Sequence, residues 1–64
     1  TADAINPDTV KAQLTYLVMR YQSQRAAARA VGISQGMVSL ILASYRNITA
    51  DVAAKIAAKY AETV

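Results

Sequence analysis

Apolar side chains recur along this chain at steps of three and four residues, the spacing of one face of an α-helix. An early segment has Val10, Leu14, Leu17, Val18 and Tyr21, and a late segment has Val52, Ile56 and Tyr60. A shorter segment between them places Val38, Ile41 and Leu42 on one face. Alternating apolar and polar runs, which are typical of strands, do not occur. The pattern predicts an all-α protein.

Capping residues predict where the helices begin. Asn6, Ser23, Ser34 and Thr49 each precede a helical segment, and their side-chain oxygens are good acceptors for the first unpaired backbone N–H groups. The predicted helices cover residues 7–21, 24–31, 35–44 and a segment that begins after Thr49. We expect a small four-helix domain, with a fifth helix left open.

Two connections complete this outline. Gly32 follows the second helix and is expected to supply the left-handed residue that ends it. The segment 45–48, of sequence YRNI, is expected to be a polar connection between the third and fourth helices.

The length and composition fit one packed domain over residues 1–64. The chain has 64 residues, of which 55% are hydrophobic and 17% charged, a globular and not a disordered composition. It has neither Cys nor His, which excludes thiolate nucleophiles, imidazole bases, disulfides and Cys/His zinc sites. The four carboxylates, Asp3, Asp8, Asp51 and Glu62, have terminal or capping explanations. We therefore expect no enzymatic activity and no cofactor.

The charge and hydropathy say less about partners. The net charge is +3 and the isoelectric point is near 9.6, which favours a polyanionic partner only weakly. No apolar run approaches the roughly 20 residues of a membrane span. We expect a soluble, intracellular protein without a membrane partner, and the sequence indicates no small-molecule pocket.

The most informative segment is residues 24–43, QRAAARAVGISQGMVSLILA. It contains two short predicted helices joined by a three-residue turn that begins with glycine. Ala28 stands where two crossing helices need a small side chain, and Gly32 where the backbone needs a positive φ. This segment resembles the helix-turn-helix of the lambda repressor and Cro-like family of phage and bacterial regulators. The motif's apolar positions hold Ala27, Val31, Ile33, Val38 and Ile41, and the likeness extends over about residues 7–62.

The resemblance implies double-stranded DNA as the partner, with a recognition helix over about 35–44 in the major groove. Gln35 would contact an adenine edge, and Leu40 or Ala43 a thymine methyl. Gln24 would contact a phosphate and support the glutamine of the recognition helix, which is Gln35. The implied contact residues are Gln24, Ser34, Gln35, Gly36, Ser39, Leu40, Ala43, Tyr45, Arg46 and Asn47.

The segment also departs from the family's pattern. No Lys or Arg occurs between Ser34 and Ser44, so this helix lacks the arginine that would contact guanine. Gly36 stands where many relatives carry a side chain that contacts a base. We therefore expect more dependence on backbone contacts and DNA shape.

Three hypotheses for function follow. The first is a sequence-specific transcriptional regulator in a bacterial cytoplasm or nucleoid, acting as a homodimer on a pseudo-palindromic site. The second is a weakly specific DNA-binding module of a larger phage or mobile-element protein, similar to that of a transposition ATPase. The third is a protein-interaction module that uses the exposed apolar side of the third helix, with Met37 and Leu40.

Overall fold

The computed structural model describes residues 6–44 and 47–64. In these ranges the secondary structure consists of four helices and no strand, which confirms the all-α prediction. The helices are α1 (Pro7–Tyr21), α2 (Gln24–Val31), α3 (Gln35–Leu42) and α4 (Ala50–Thr63).

All four predicted N-caps are confirmed. The side-chain oxygens of Asn6, Ser23, Ser34 and Thr49 accept hydrogen bonds from backbone N–H groups two or three residues ahead, at 2.9 to 3.3 Å. Each cap residue has extended backbone geometry while its oxygen satisfies donors that the helix leaves unpaired. The helix starts are therefore set by local chemistry.

The helix ends are only partly as predicted. Gly32 ends α2 with φ +93°, as expected. The third helix, predicted to extend to about Ser44, is two residues shorter, since α3 ends at Leu42 with Ala43 as its cap. Ser44 turns the chain with φ +73°, and Gln22 ends α1 in the same left-handed region with φ +67°. Two residues other than glycine therefore adopt a backbone conformation that glycine adopts more easily.

The core lies where the four helices meet. Leu14 and Leu17 of α1, Val38 and Ile41 of α3, and Ile56 of α4 are completely buried. The remaining buried residues are Val10, Ala27, Ala28, Val31 and Ile48. The predicted stripes of α1 and α4 extend beyond this core, since Val18, Tyr21, Val52 and Tyr60 are half-buried against it.

Ile48 corrects the prediction that 45–48 is a polar connection. Its side chain is only 7% exposed and belongs to the core. It stands directly before the N-cap Thr49, a position where an apolar side chain often packs against the first turn of the following helix. Ala53, four residues beyond Thr49, is half-buried against the same core. Ile48 thus helps to fix the start of α4.

Replacing the two glycines with alanine should change stability in opposite directions. At Gly32 an added Cβ meets no atom within 4 Å, but the positive φ is strained for alanine. We expect Gly32→Ala to lower the free energy of unfolding by about 1 kcal/mol. At Gly36, inside α3, the nearest atom to an added Cβ is Ser34 Oγ at 3.9 Å. Gly36→Ala should raise the free energy of unfolding by about 0.5–1 kcal/mol. Urea unfolding measures the change in the free energy of unfolding for each variant. Changes of the same sign would contradict the different backbone conformations assigned to the two glycines.

Truncating Ile48 should be as costly as a core substitution. We expect Ile48→Ala to lower the free energy of unfolding by about 2–4 kcal/mol, because it leaves a cavity beside α4. Met19, which is 73% exposed, provides the control, and Met19→Ala should stay within about 0.5 kcal/mol of the parent. Equal effects in thermal unfolding would show that Ile48 is not a core residue.

Candidate nucleic-acid interface

The turn between α2 and α3 is held by one carbonyl of α2. The backbone N–H groups of Gly32 and Ile33 both donate to Ala28 O, at 2.8 and 3.0 Å. Two donors on one carbonyl close the end of α2 and send the chain directly into α3. Ala28 itself is only 2% exposed and belongs to the core. The positive φ predicted for Gly32 is confirmed, and the small residue Ala28 is buried in the core.

This packing fixes which side of α3 faces outward. Val38 and Ile41 are completely buried. Gly36, Ser39, Leu40 and Ala43 lie on the opposite side at about 100° per residue, and Gln35 lies beside them in the first turn. All five are exposed, and we call them the outer face of α3. The outer face carries no charged residue.

A hydrogen bond joins the outer face to the start of α2. Ser39 Oγ donates to Gln24 Oε1 at 2.8 Å, and Gln24 is half-buried. The resemblance implied that Gln24 supports Gln35, but its partner on α3 is Ser39, one helical turn further along. The side chain of Gln35 is exposed and makes no hydrogen bond to any residue that the structure describes.

A second hydrogen bond anchors the end of α3 to α1. Lys11 Nζ donates to Ser44 Oγ at 3.0 Å, although the two residues are 33 positions apart. Ser44 is the left-handed residue just beyond α3. Sequence reasoning missed this contact, because nothing in the local pattern around Lys11 or Ser44 indicates the partner.

Charge is distributed unevenly over the helices. On α4, Lys55 pairs with Asp51 at 3.2 Å and Lys59 with Glu62 at 3.1 Å. The hydrogen bond to the Glu62 carboxylate, together with its negative charge, raises the pKa of Lys59 above its ordinary value. The arginines of α2, Arg25 and Arg29, are exposed and form no ion pair with any residue that the structure describes. α2 therefore carries two positive charges and no acidic residue, beside the uncharged α3.

The described residues were also searched for a small-molecule cavity and for a metal site. A surface depression of about 310 Å³ lies at the C-terminal ends of α1 and α4, lined by Arg20, Tyr21, Lys59, Glu62 and Thr63. Over residues 6–44 and 47–64, no group of three or more acidic, His or Cys side chains is placed to hold a metal ion.

The helices in the described part of the chain lack the combined length and apolar character that a membrane crossing requires.

Eight of the ten predicted contact residues lie in the described ranges. Gln24 is half-buried, and the others are exposed: Ser34, Gln35, Gly36, Ser39, Leu40, Ala43 and Asn47. Tyr45 and Arg46 lie outside the described residues. The structure thus brings Gln24 to the outer face through Ser39 and leaves the other described candidates open to solvent.

Comparison with known families adds the decisive observation. Residues 22–63, which include α2, the turn, α3 and α4, match the helix-turn-helix family. The chain belongs to the helix-turn-helix family. The match is of the Cro/C1 type, a family of DNA-binding domains that are generally not enzymes. Together with the four helices it confirms the predicted small lambda-repressor-like fold. A search of the curated proteins and a search of the solved structures gave no significant match.

A double-mutant cycle should separate the observed partner of Gln24 from the one that the resemblance implied. Gln24→Ala and Ser39→Ala should be coupled by about 1 kcal/mol in the free energy of unfolding, because they remove the same hydrogen bond. Gln24→Ala and Gln35→Ala should be additive within about 0.3–0.5 kcal/mol. Urea unfolding of the single and double variants measures both cycles, and coupling in the second one would favour a Gln24–Gln35 contact.

Proposed function

We propose that this chain is a single domain, residues 1–64, that binds specific sequences in double-stranded DNA by placing α3 in the major groove. The observation that carries the proposal is the outer face of α3, which is exposed and has polar and apolar residues but no charged one. It belongs to a chain that matches a family of DNA-binding domains. A major groove accommodates one α-helix, and uncharged side chains can distinguish bases by hydrogen bonds and methyl contacts.

Gln35 is the proposed base contact nearest the start of α3. Its amide is exposed and has no partner among the described residues, so both of its polar atoms are available to an adenine edge, which offers one donor and one acceptor. Leu40 is 48% exposed and supplies an apolar surface for a thymine methyl. Ser34, Gly36, Ser39 and Ala43 complete the proposed surface.

Backbone contacts are proposed at the borders of this surface. Gln24 opens α2, where its amide nitrogen makes no hydrogen bond to a described residue. Asn47 is exposed beyond α3, and Tyr45 and Arg46 are proposed from their place in the sequence. Without a basic residue on α3, affinity depends on these contacts and on DNA shape.

The role of transcriptional regulator in a bacterial cytoplasm or nucleoid belongs to the same proposal, as does binding as a homodimer. A selected DNA motif with two half-sites about 10 base pairs apart would support the dimer, because each half-site then faces the same side of the duplex. A weakly specific module of a larger protein would select no motif.

The protein-interaction hypothesis has less support from the surface of α3. Met37 is half-buried against the core, so Leu40 is the only large apolar side chain on the outer face. Salt dependence separates the two hypotheses, since neutralising Z phosphates gives a log–log slope of about −0.9Z, whereas apolar docking responds little to salt.

Selection from randomised duplexes, followed by fluorescence anisotropy, tests the proposal. We expect a motif, and we expect Gln35→Ala to relax one base position at a cost of about 1–3 kcal/mol. Binding without a motif would favour the weakly specific module, and no binding at low salt would overturn the proposal.

Two charge-removing variants test the backbone contacts. Arg46→Ala should weaken all DNA sequences alike and make the salt slope shallower by about 0.9. Lys55→Ala also removes one positive charge, but Lys55 pairs with Asp51 on α4, so its salt slope should match that of the parent. An equal change in the two variants would indicate a general effect of net charge.

A further inference from the structure

The hydrogen bond between Ser39 and Gln24 limits what Ser39 can offer to a ligand. A serine hydroxyl has one proton to donate and two lone pairs that accept. Ser39 Oγ gives its proton to Gln24 Oε1 at 2.8 Å, while the side chain is exposed on the outer face of α3. Toward a molecule that approaches α3, Ser39 therefore presents lone pairs alone.

The start of α2 places the Gln24 amide beside Ser39. Gln24 is the first residue of α2 and is half-buried, and α2 is fixed at that end by the Ser23 cap. Among the described residues, the Ser39 hydroxyl is the only hydrogen-bond partner of its amide. With the amide oxygen occupied by Ser39, the amide nitrogen is directed away from that hydroxyl and can donate elsewhere.

The bases differ in what they offer an acceptor in the major groove. Adenine and cytosine carry exocyclic amino groups, which donate, whereas guanine and thymine present acceptors there. A serine with a rotatable hydroxyl can bond to either kind. A serine that only accepts can bond to the amino group, and it meets guanine O6 or thymine O4 with lone pair against lone pair.

We propose that Gln24 makes Ser39 an obligate acceptor, so that Ser39 selects adenine or cytosine through the exocyclic amino group of the base it faces. This inference rests on the proposed DNA binding and specifies the chemistry of one contact within it. Because each base pair presents one amino group in the major groove, on adenine or on cytosine, the contact determines which strand carries that base at the position concerned.

The first step of the test locates and probes the base. Selection with the parent protein and with Ser39→Ala identifies the base pair whose preference the variant loses, and we expect adenine or cytosine there. Replacing that adenine with purine, or that cytosine with 2-pyrimidinone, removes only the amino group and should weaken binding by about fivefold. 7-Deazaadenine, which keeps the amino group but lacks N7, should bind within about twofold of adenine.

Two substitutions of Gln24 test the role of its hydrogen bond with Ser39. Gln24→Ala frees the Ser39 hydroxyl to donate, and discrimination against guanine or thymine at that position should fall to about twofold or less. Gln24→Glu still accepts the Ser39 proton, so discrimination should persist even though the added negative charge weakens binding to all DNA. Discrimination is a ratio of two affinities of one variant, so a smaller folded fraction cancels.

Several outcomes would overturn the inference while leaving DNA binding intact. These are a preference for guanine or thymine at the Ser39 position, no position relaxed by Ser39→Ala, or unchanged discrimination in Gln24→Ala. If Gln24 acts only on phosphate, Gln24→Ala would weaken all sequences equally and change no preference. Failure of the proposed function is distinct, since the parent itself would then bind no DNA or select no motif.

Discussion

The close approach of α2 and α3 is the constraint on which the rest of this structure depends. Ala28 of α2 is buried in the core, where a larger side chain would displace its neighbours, and the residue at position 32 adopts φ +93° as the chain turns into α3. Both conditions are met by the two smallest kinds of residue. With them, Val38 and Ile41 lie in the core and the opposite half of α3 is exposed.

The outer face owes its chemistry to this constraint and to the absence of charge on α3. Positive charge without an ion-pair partner among the described residues lies on α2, at Arg25 and Arg29, whereas Lys55 and Lys59 of α4 are paired within their own helix. In the proposed complex with DNA, the uncharged side chains of the outer face would distinguish base edges, and attraction to the phosphates would come from neighbouring elements.

Two long-range hydrogen bonds among the described residues hold α3, one at its middle and one just beyond its C-terminal end. Ser39 is joined to the start of α2, and Ser44, just beyond the helix, is joined to α1 through Lys11. α3 has only eight residues, and an isolated helix of that length is unstable in water. Its position therefore depends on packing and on these anchors, and each anchor also occupies a polar group that would otherwise be available to a ligand.

The sequence by itself determined the helix starts, the turn at Gly32 and the outer face of α3. Caps act over two or three residues and helical periodicity over about four, so both are visible in a local window. Tertiary structure alone decided that Ile48 is buried, that α3 stops at Leu42, and that Gln24 meets Ser39 instead of Gln35. These outcomes depend on how the helices are placed relative to one another. That placement brings Gln24 to Ser39, 15 positions apart, and Lys11 to Ser44, 33 positions apart. No local pattern specifies such distances, because they are set by how the side chains of several helices fill one core.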